Sequence, residues 1–355
     1  MKHFSSHKPV PTATRATAWL LIAALMWSNV AGVGMRAAQA GPIADPTAAL
    51  AFRPTLVQAG NGVPVVNITA PNAAGLSLNR YQSFNVDSQG VILNNSLSGG
   101  SALLGPGIAA NPNLVNAGNG QNGRSAQTIV NEVSQSGPPS LLAGTIEVFG
   151  APASVIIANP NGITCSGCGV LNTPRLSLIA ASSSLPGSAG FASAASLGWD
   201  VQNGQIVITS QGLEGTVGRL DLLGQTIQIQ GPLRAHYLNQ ELSSINLGAG
   251  RQQFQLQGDG SFTATGPQGS TPAVPAPATP ATTPSFAIDA TALGAMTAGQ
   301  IRIVSTGDGL GVNLRGPLVA YQQGIHINSA GALTVNDASA AGDIQLVSGG
   351  NLTMT

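Results

Sequence analysis

The pair Cys165-Ser166-Gly167-Cys168 is the first place where residue types and spacing could do chemistry. Such a pair can hold a metal, attach a haem or exchange electrons. Four-cysteine zinc is excluded, because the chain has 2 cysteines in all. Haem attachment needs a histidine where Gly169 stands. Redox catalysis goes with a thioredoxin-like βαβ setting, and no such alternation surrounds the pair. In a chain crossing an oxidising compartment, the pair closes as a local disulfide. That ring is so small that the unfolded chain stays thin enough for a narrow pore. A Cys165–Cys168 disulfide is the expectation, with the redox pair as its rival.

Elsewhere the signs of catalysis are poor. His236 and His326 are the histidines beyond residue 40, each isolated among strand and turn residues. Solvated side chains are the reading for both. The serines form no Gly-x-Ser-x-Gly elbow. Acids are scattered singly, which argues against the clustered carboxylates and calcium of polysaccharide-cleaving β-helices. No enzyme activity, metal or cofactor is expected from these residues. The more informative pieces are Asn111-Pro112-Asn113-Leu114 and Asn159-Pro160-Asn161-Gly162. Their shared chemistry is that of a tight turn. The first Asn side chain can mimic a backbone turn, Pro presets φ, and the second Asn or the Gly tolerates positive φ.

Turns imply strands to join, and the composition supplies them. Charged residues make up 7% of the 355-residue chain, far below the roughly 25% of ordinary domains. With 43% apolar residues, 46 Gly and 4% aromatics, it suits short strands with an aliphatic core. Both lysines, Lys2 and Lys8, precede residue 10, and all 13 acids follow Ala40. Beyond that point 9 Arg face 13 acids, a net charge of −4. Such a body has no electrostatic footprint for nucleic acid.

Residues 1–40 read as a secretory signal peptide. Lys2, Lys8 and Arg15 precede an apolar run around TAWLLIAALMW, and Ala38-Gln39-Ala40 is a small-x-small cleavage pattern. Cleavage is expected between Ala40 and Gly41. A transmembrane anchor is the rival, but the run falls short of the ~20 apolar residues a span needs.

From Gly62 onward, runs such as Val63–Ile68, Leu76–Leu78 and Gly90–Asn95 alternate with Gly, Pro and Asn. Ile129–Val133 fits a strand or a helical turn. Ile206-Val207-Ile208 recurs as Ile227-Gln228-Ile229. Ile325, Ile327, Ser329, Gly331, Leu333 and Val335 are matched 19 positions on by Ile344, Leu346, Ser348, Gly350, Leu352 and Met354. A β period near 20 residues, without a leucine-rich pattern, points to a solenoid of stacked coils. A β-sandwich or barrel is the alternative. Stacking at about 4.8 Å would make roughly fifteen coils from residues 41–355. Residues 266–285, GPQGSTPAVPAPATPATTPS, read as a polyproline loop leaving the stack. The chain stops in mid-repeat without a polar cap, so a truncated or partial protein is expected.

Several stretches together resemble the amino-terminal secretion domain of the two-partner-secretion exoproteins, the group that includes filamentous haemagglutinin. They are NGVPVVNITAPNAAGLSLNRYQSFNV (61–86), GVILNNS (90–96), ANPNLV (110–115) and the long block at 131–175 ending in ANPNGITCSGCGVLNTPR. AIDATALGAMTAGQIRIVSTGDGLGVNL (287–314) and the repeats after it are similar to the continuation of those proteins. The resemblance implies an all-β fold, a right-handed parallel β-helix with short extra-helical β elements. It implies a secretion domain over 41–300 and first haemagglutinin-type repeats over 301–355. Its partners would be the Sec translocon, a cognate outer-membrane β-barrel transporter and a host-cell receptor or glycan. The destination would be the surface of a Gram-negative bacterium or the medium, by way of the periplasm. The family ties its Asn-Pro-Asn turns to secretion, which singles out Asn111, Pro112, Asn113, Leu114, Asn159, Pro160, Asn161 and Gly162. An adhesin is the leading expectation. A contact-dependent growth inhibition toxin carrier and a two-partner cytolysin are the alternatives.

Overall fold

A computed structural model describes residues 41–116, 123–183, 197–213, 217–236, 242–256, 262–265, 286–307 and 309–355. The segment 1–40, with Ala40 of the expected cleavage site, and the proline-rich residues 266–285 lie outside the described residues.

One coil shows how the sequence winds. Ser154–Ala158 is extended, Asn159–Gly162 turns a corner, and Ile163–Cys165 runs along a second face. A turn through Cys168 leads to Gly169–Leu171 on a third face, and Arg175–Ile179 then opens the next coil. That strand returns beside its predecessor in parallel register, with Leu176 next to Val155 and Leu178 next to Ile157. Each run is too short to bury its aliphatic side chains alone. Each succeeds because the coil above supplies like residues at the same place.

The first face is a ten-stranded sheet from Ile43–Ala44 to Ile344–Ser348. Its neighbours are parallel throughout except for the antiparallel pair of Ile43–Ala44 with Leu76–Ser83. A second ten-stranded sheet carries Ser140–Leu142, Ile163–Cys165, Gln205–Ile208 and the strands stacked on them. The third face starts as a five-stranded sheet with Thr55–Gln58 at its edge. It continues by way of the Cys168–Leu213 and Leu213–Leu233 bridges. Parallel pairing of this kind rules out the hairpin-built sandwich. The fold is the expected parallel β-helix.

The repeats found in the sequence are the registers of the stack. Ile206 lies beside Ile227 and Ile208 beside Ile229. Ile325, Ile327 and Ser329 pair with Ile344, Leu346 and Ser348, and Leu333 and Val335 with Leu352 and Met354. Thr128–Val133 is a strand, which resolves the open reading there. Inside the stack, Leu220, Ile245, Ile301 and Ile325 follow one another as a continuous aliphatic ladder, fully buried.

The stack is shorter than the period alone gives, because much of the chain lies beside the ladder. Against roughly fifteen coils expected, the first face has ten strands. Residues 96–116 and 123–127 fold back over the first coils. Ser182–Ser183, Gly198–Val201, Gln252–Leu256 and Phe262–Thr265 form a separate antiparallel sheet. This sheet covers the outside of the first face, where Trp199 and Phe254 pack with Val130, Ile156, Ile179 and Leu223 in a second core.

Candidate functional site

The two Asn-Pro-Asn segments are corners that reach into neighbouring coils. In both, the first Asn accepts a hydrogen bond at Oδ1 from the backbone N–H of the second, at 2.9 Å for Asn111 and Asn113 and 2.9 Å for Asn159 and Asn161. This is the side-chain mimic of a backbone turn. In both, the second Asn spends its amide on carbonyls of an earlier coil. Asn113 Nδ2 donates to the carbonyls of Asn67 and Ile68, at 3.0 and 3.2 Å. Asn161 Nδ2 donates to that of Gln135, at 3.0 Å.

The continuations differ. Asn111 caps a single helical turn, Pro112–Val115, with Pro at its start and Leu114 fully buried in the main core. Asn111 Nδ2 also joins two coils, donating to the carbonyls of Ile68 at 3.0 Å and Asn94 at 2.7 Å. At the other corner the Gly162 N–H donates to the Asn159 carbonyl at 3.1 Å, closing a tight turn, and Gly162 adopts φ +110°. Asn159 Nδ2 donates to Ser140 Oγ at 3.0 Å. The positive φ foreseen for these turns is taken by Gly162 alone of their residues. Asn172 is the described non-glycine residue in that region, at φ 56°.

Both corners stand in larger polar networks that single residues did not advertise. Asn94 Nδ2 donates to Asn67 Oδ1 at 2.8 Å and to the Ala109 carbonyl at 3.0 Å. Asn95 Nδ2 holds the carbonyls of Ala126 and Ala151, both at 2.9 Å. These asparagines fasten the excursion that carries Asn111 onto the first coils. At the second corner, Gln135 ties Asn161 to the amino-terminal segment. Its Nε2 donates to Asp45 Oδ2 at 3.2 Å, where Ser134 Oγ also donates at 2.5 Å. Thr47 gives Asp45 Oδ1 its backbone N–H at 2.8 Å and its hydroxyl at 2.6 Å. Burial pushes the Asp45 carboxyl upward, but these donors outweigh it and hold it well below the usual carboxylate range. Asn94 and Asn95 had a signal, the Asn-Asn doublet of GVILNNS. Asp45, Gln135 and Ser140 had none.

Cys165 and Cys168 are joined by a disulfide with Cα atoms 5.3 Å apart, at the corner between the second and third faces. Both are buried in the main core. His236 is exposed, and His326 sits half-buried with Nδ1 3.2 Å from Gln345 Oε1. The deeply buried Asp221 is engaged at both oxygens. Arg175 Nε and Ser177 Oγ donate to Oδ2 at 2.6 and 2.7 Å, and Asn246 Nδ2 donates to Oδ1 at 2.8 Å. That clasp joins three successive coils in register. Among the described residues no group of three or more His, Cys, Asp or Glu could hold a metal ion, and no helix is long and apolar enough to cross a membrane. Gly41, the residue after the expected cleavage point, is the first one described.

A parallel β-helix stapled at Asn-Pro-Asn corners, with an extra sheet on its first face, places this chain in the class of β-solenoids. The comparisons agree. The family model described as TPS secretion domain matches residues 41–335. The chain belongs to that family, the two-partner-secretion domains of filamentous-haemagglutinin-like and CdiA exoproteins. It is 39% identical over 291 residues to a "tRNA nuclease CdiA" of Yersinia mollaretii, across 81% of this chain and 9% of that protein. It is 36% identical over 285 residues to "Filamentous hemagglutinin" of Bordetella pertussis, across 80% of this chain and 7% of that protein. The crystal structure of a filamentous hemagglutinin secretion domain superposes with TM-score 0.72 at 33% identity, covering 89% of this chain and 95% of that one. The chain thus spans under a tenth of the length of these two curated relatives.

Proposed function

We propose that this chain is the secretion domain and first coils of a filamentous-haemagglutinin-like adhesin. In this reading residues 1–40 direct Sec export and are removed before Gly41. The unfolded body crosses the periplasm, is recognised by a cognate outer-membrane β-barrel transporter, and folds as it emerges at the surface of a Gram-negative cell. Residues 41–300 serve as the secretion domain. Residues 301–355 begin the haemagglutinin-type repeats, a reading supported by the plain 19-residue period from Ile325 onward. Contact with a host-cell receptor or glycan would belong to the longer protein, and nucleic acid is no partner of this mildly acidic body.

The observation that carries the reading is the pair of corner staples. Each Asn-Pro-Asn turn closes locally and at once engages the coil before it, so winding one coil prepares the next. At roughly 0.1 kcal/mol per residue, a coil near 20 residues gains about 2 kcal/mol when it folds outside. That bias opposes backsliding without ATP. No catalytic step or cofactor is assigned to these residues. The CdiA relatives favour a second reading, a contact-dependent growth inhibition toxin carrier with the same entry segment and a different distal end.

The test is export of the chain in a Gram-negative host with and without its cognate transporter. The folded chain is expected in the medium or on the cell surface when the transporter is present, and in the periplasm when it is not. Equal release in both strains would overturn the proposal.

A further inference from the structure

The two corner motifs differ in chemical durability as well as in shape. Asparagine is a thermolabile residue. Its side-chain carbonyl carbon can be attacked by the backbone nitrogen of the next residue. That attack forms an imide and expels ammonia, and water then opens the ring to aspartate or isoaspartate. Asn111 and Asn159 are immune because each precedes proline, which has no N–H to attack with. Asn113 precedes the bulky Leu114. Asn161 precedes Gly162, whose nitrogen is unhindered by any side chain.

The structure requires this labile pair. Gly162 adopts φ +110°, and a Cβ there would stand 3.0 Å from the Gln205 carbonyl oxygen. The Asn161 amide donates to two acceptors, the Gln135 carbonyl at 3.0 Å and Asn159 Oδ1 at 2.9 Å. A carboxylate in its place would face both oxygens with no hydrogen to give. The folded turn also guards the pair, because the Gly162 N–H is committed to the Asn159 carbonyl at 3.1 Å and the amide is pinned at its nitrogen.

Asn61–Gly62, Asn119–Gly120, Asn122–Gly123 and Asn203–Gly204 share this lability in the unfolded chain. We propose that Asn161–Gly162 is a spontaneous modification site that the folded state protects, and that its conversion is one limit on how long the unfolded chain stays able to fold, because this amide holds a corner closed. The bond formed is Gly162 N to Asn161 Cγ, and the bond broken is Cγ to Nδ2. Water and base are the only other reactants. The protection follows from the turn itself, whereas its bearing on export rests on the secretion reading above.

The purified full chain is held in mildly alkaline buffer with and without denaturant, and Asn161 conversion is followed by peptide mapping. Conversion is expected to be at least about tenfold slower in the native chain, since it requires local opening. Peptide mapping also scores Asn61, Asn119, Asn122 and Asn203, the other residues that precede Gly. Slow refolding is expected to track converted Asn161 rather than these, and the Asn161→Asp variant to refold slowly from the outset. Equal conversion in both states, or refolding of converted chains at the unaged rate, would overturn the proposal. Neither readout involves a transporter, so this test and the export test fail independently.

Discussion

At the residue scale, asparagine carries the organisation of this molecule. A coil corner leaves backbone carbonyls and N–H groups that no strand can take up. An Asn beside Pro supplies an acceptor for its own turn and donors for the coil next door, as Asn111 and Asn159 do. The turn types were legible in the sequence because Asn-Pro-Asn is a local signal. Their partners were not, because Gln135, Ser140 and Asn67 are 19 to 46 positions from the asparagines they meet and look ordinary where they stand. Asp45 is the extreme case, tied to Ser134 across 89 positions. It makes a prediction of its own. A carboxylate held below its usual range stabilises the fold fully above the unfolded pKa near 4, and loses that contribution as pH falls toward the folded value. Asp45→Asn is expected to cost roughly 1–3 kcal/mol in urea unfolding at neutral pH. The difference from wild type should shrink below about pH 4. A gap that is the same at neutral and strongly acidic pH would show that the charge does not matter.

At the element scale, the period was the strongest signal. Ile325 to Val335 against Ile344 to Met354 carries the register in the sequence itself, because a solenoid repeats side-chain identity where it repeats position. The outer sheet had no such signal. Trp199 pairs with Phe254 across the ladder strands Gln205–Ile208, Arg219–Gly224, Thr226–Ile229 and Ser244–Ala249, and nothing local marks that contact. The stretch 140–175 was legible as part of a stacked rod with two consecutive turns, and the structure winds it that way. Its corner at Asn159–Gly162 and its disulfide corner are consecutive bends of one winding, separated by the three residues Ile163–Cys165. The disulfide closes so short a loop that its effect on the unfolded chain is small. Replacing both Cys165 and Cys168 by Ala is expected to lower stability by about 2 kcal/mol at most. Export with the transporter is expected to continue. A loss well beyond that, or failure of export, would give the bond a larger part than a corner staple.

At the scale of the whole molecule, the stack is built so that each coil templates the next. Contacts within the ladder join neighbours only, and stability is therefore close to a sum over coils and their interfaces. The Asn-Pro-Asn corners sit in the first half of that sum, where Asn111 and Asn113 fasten the coils of Asn67 and Asn94, and Asn159 and Asn161 fasten the segment at Gln135 and Ser140. That placement suits a segment whose folding starts the growth of a longer β-helix. The fold class could be read from composition and period, and the family from the resemblance of the corner motifs. The coil count could not, because a sequence period does not say which residues leave the ladder. The central claim is that these corners set both folding and export. Its most direct test is to measure refolding rate from denaturant and transporter-dependent secreted yield for Asn111→Ala, Asn159→Ala and the double variant. Both quantities are expected to fall together, with the double variant lowest in each. Unchanged refolding and yield in all three would contradict the account.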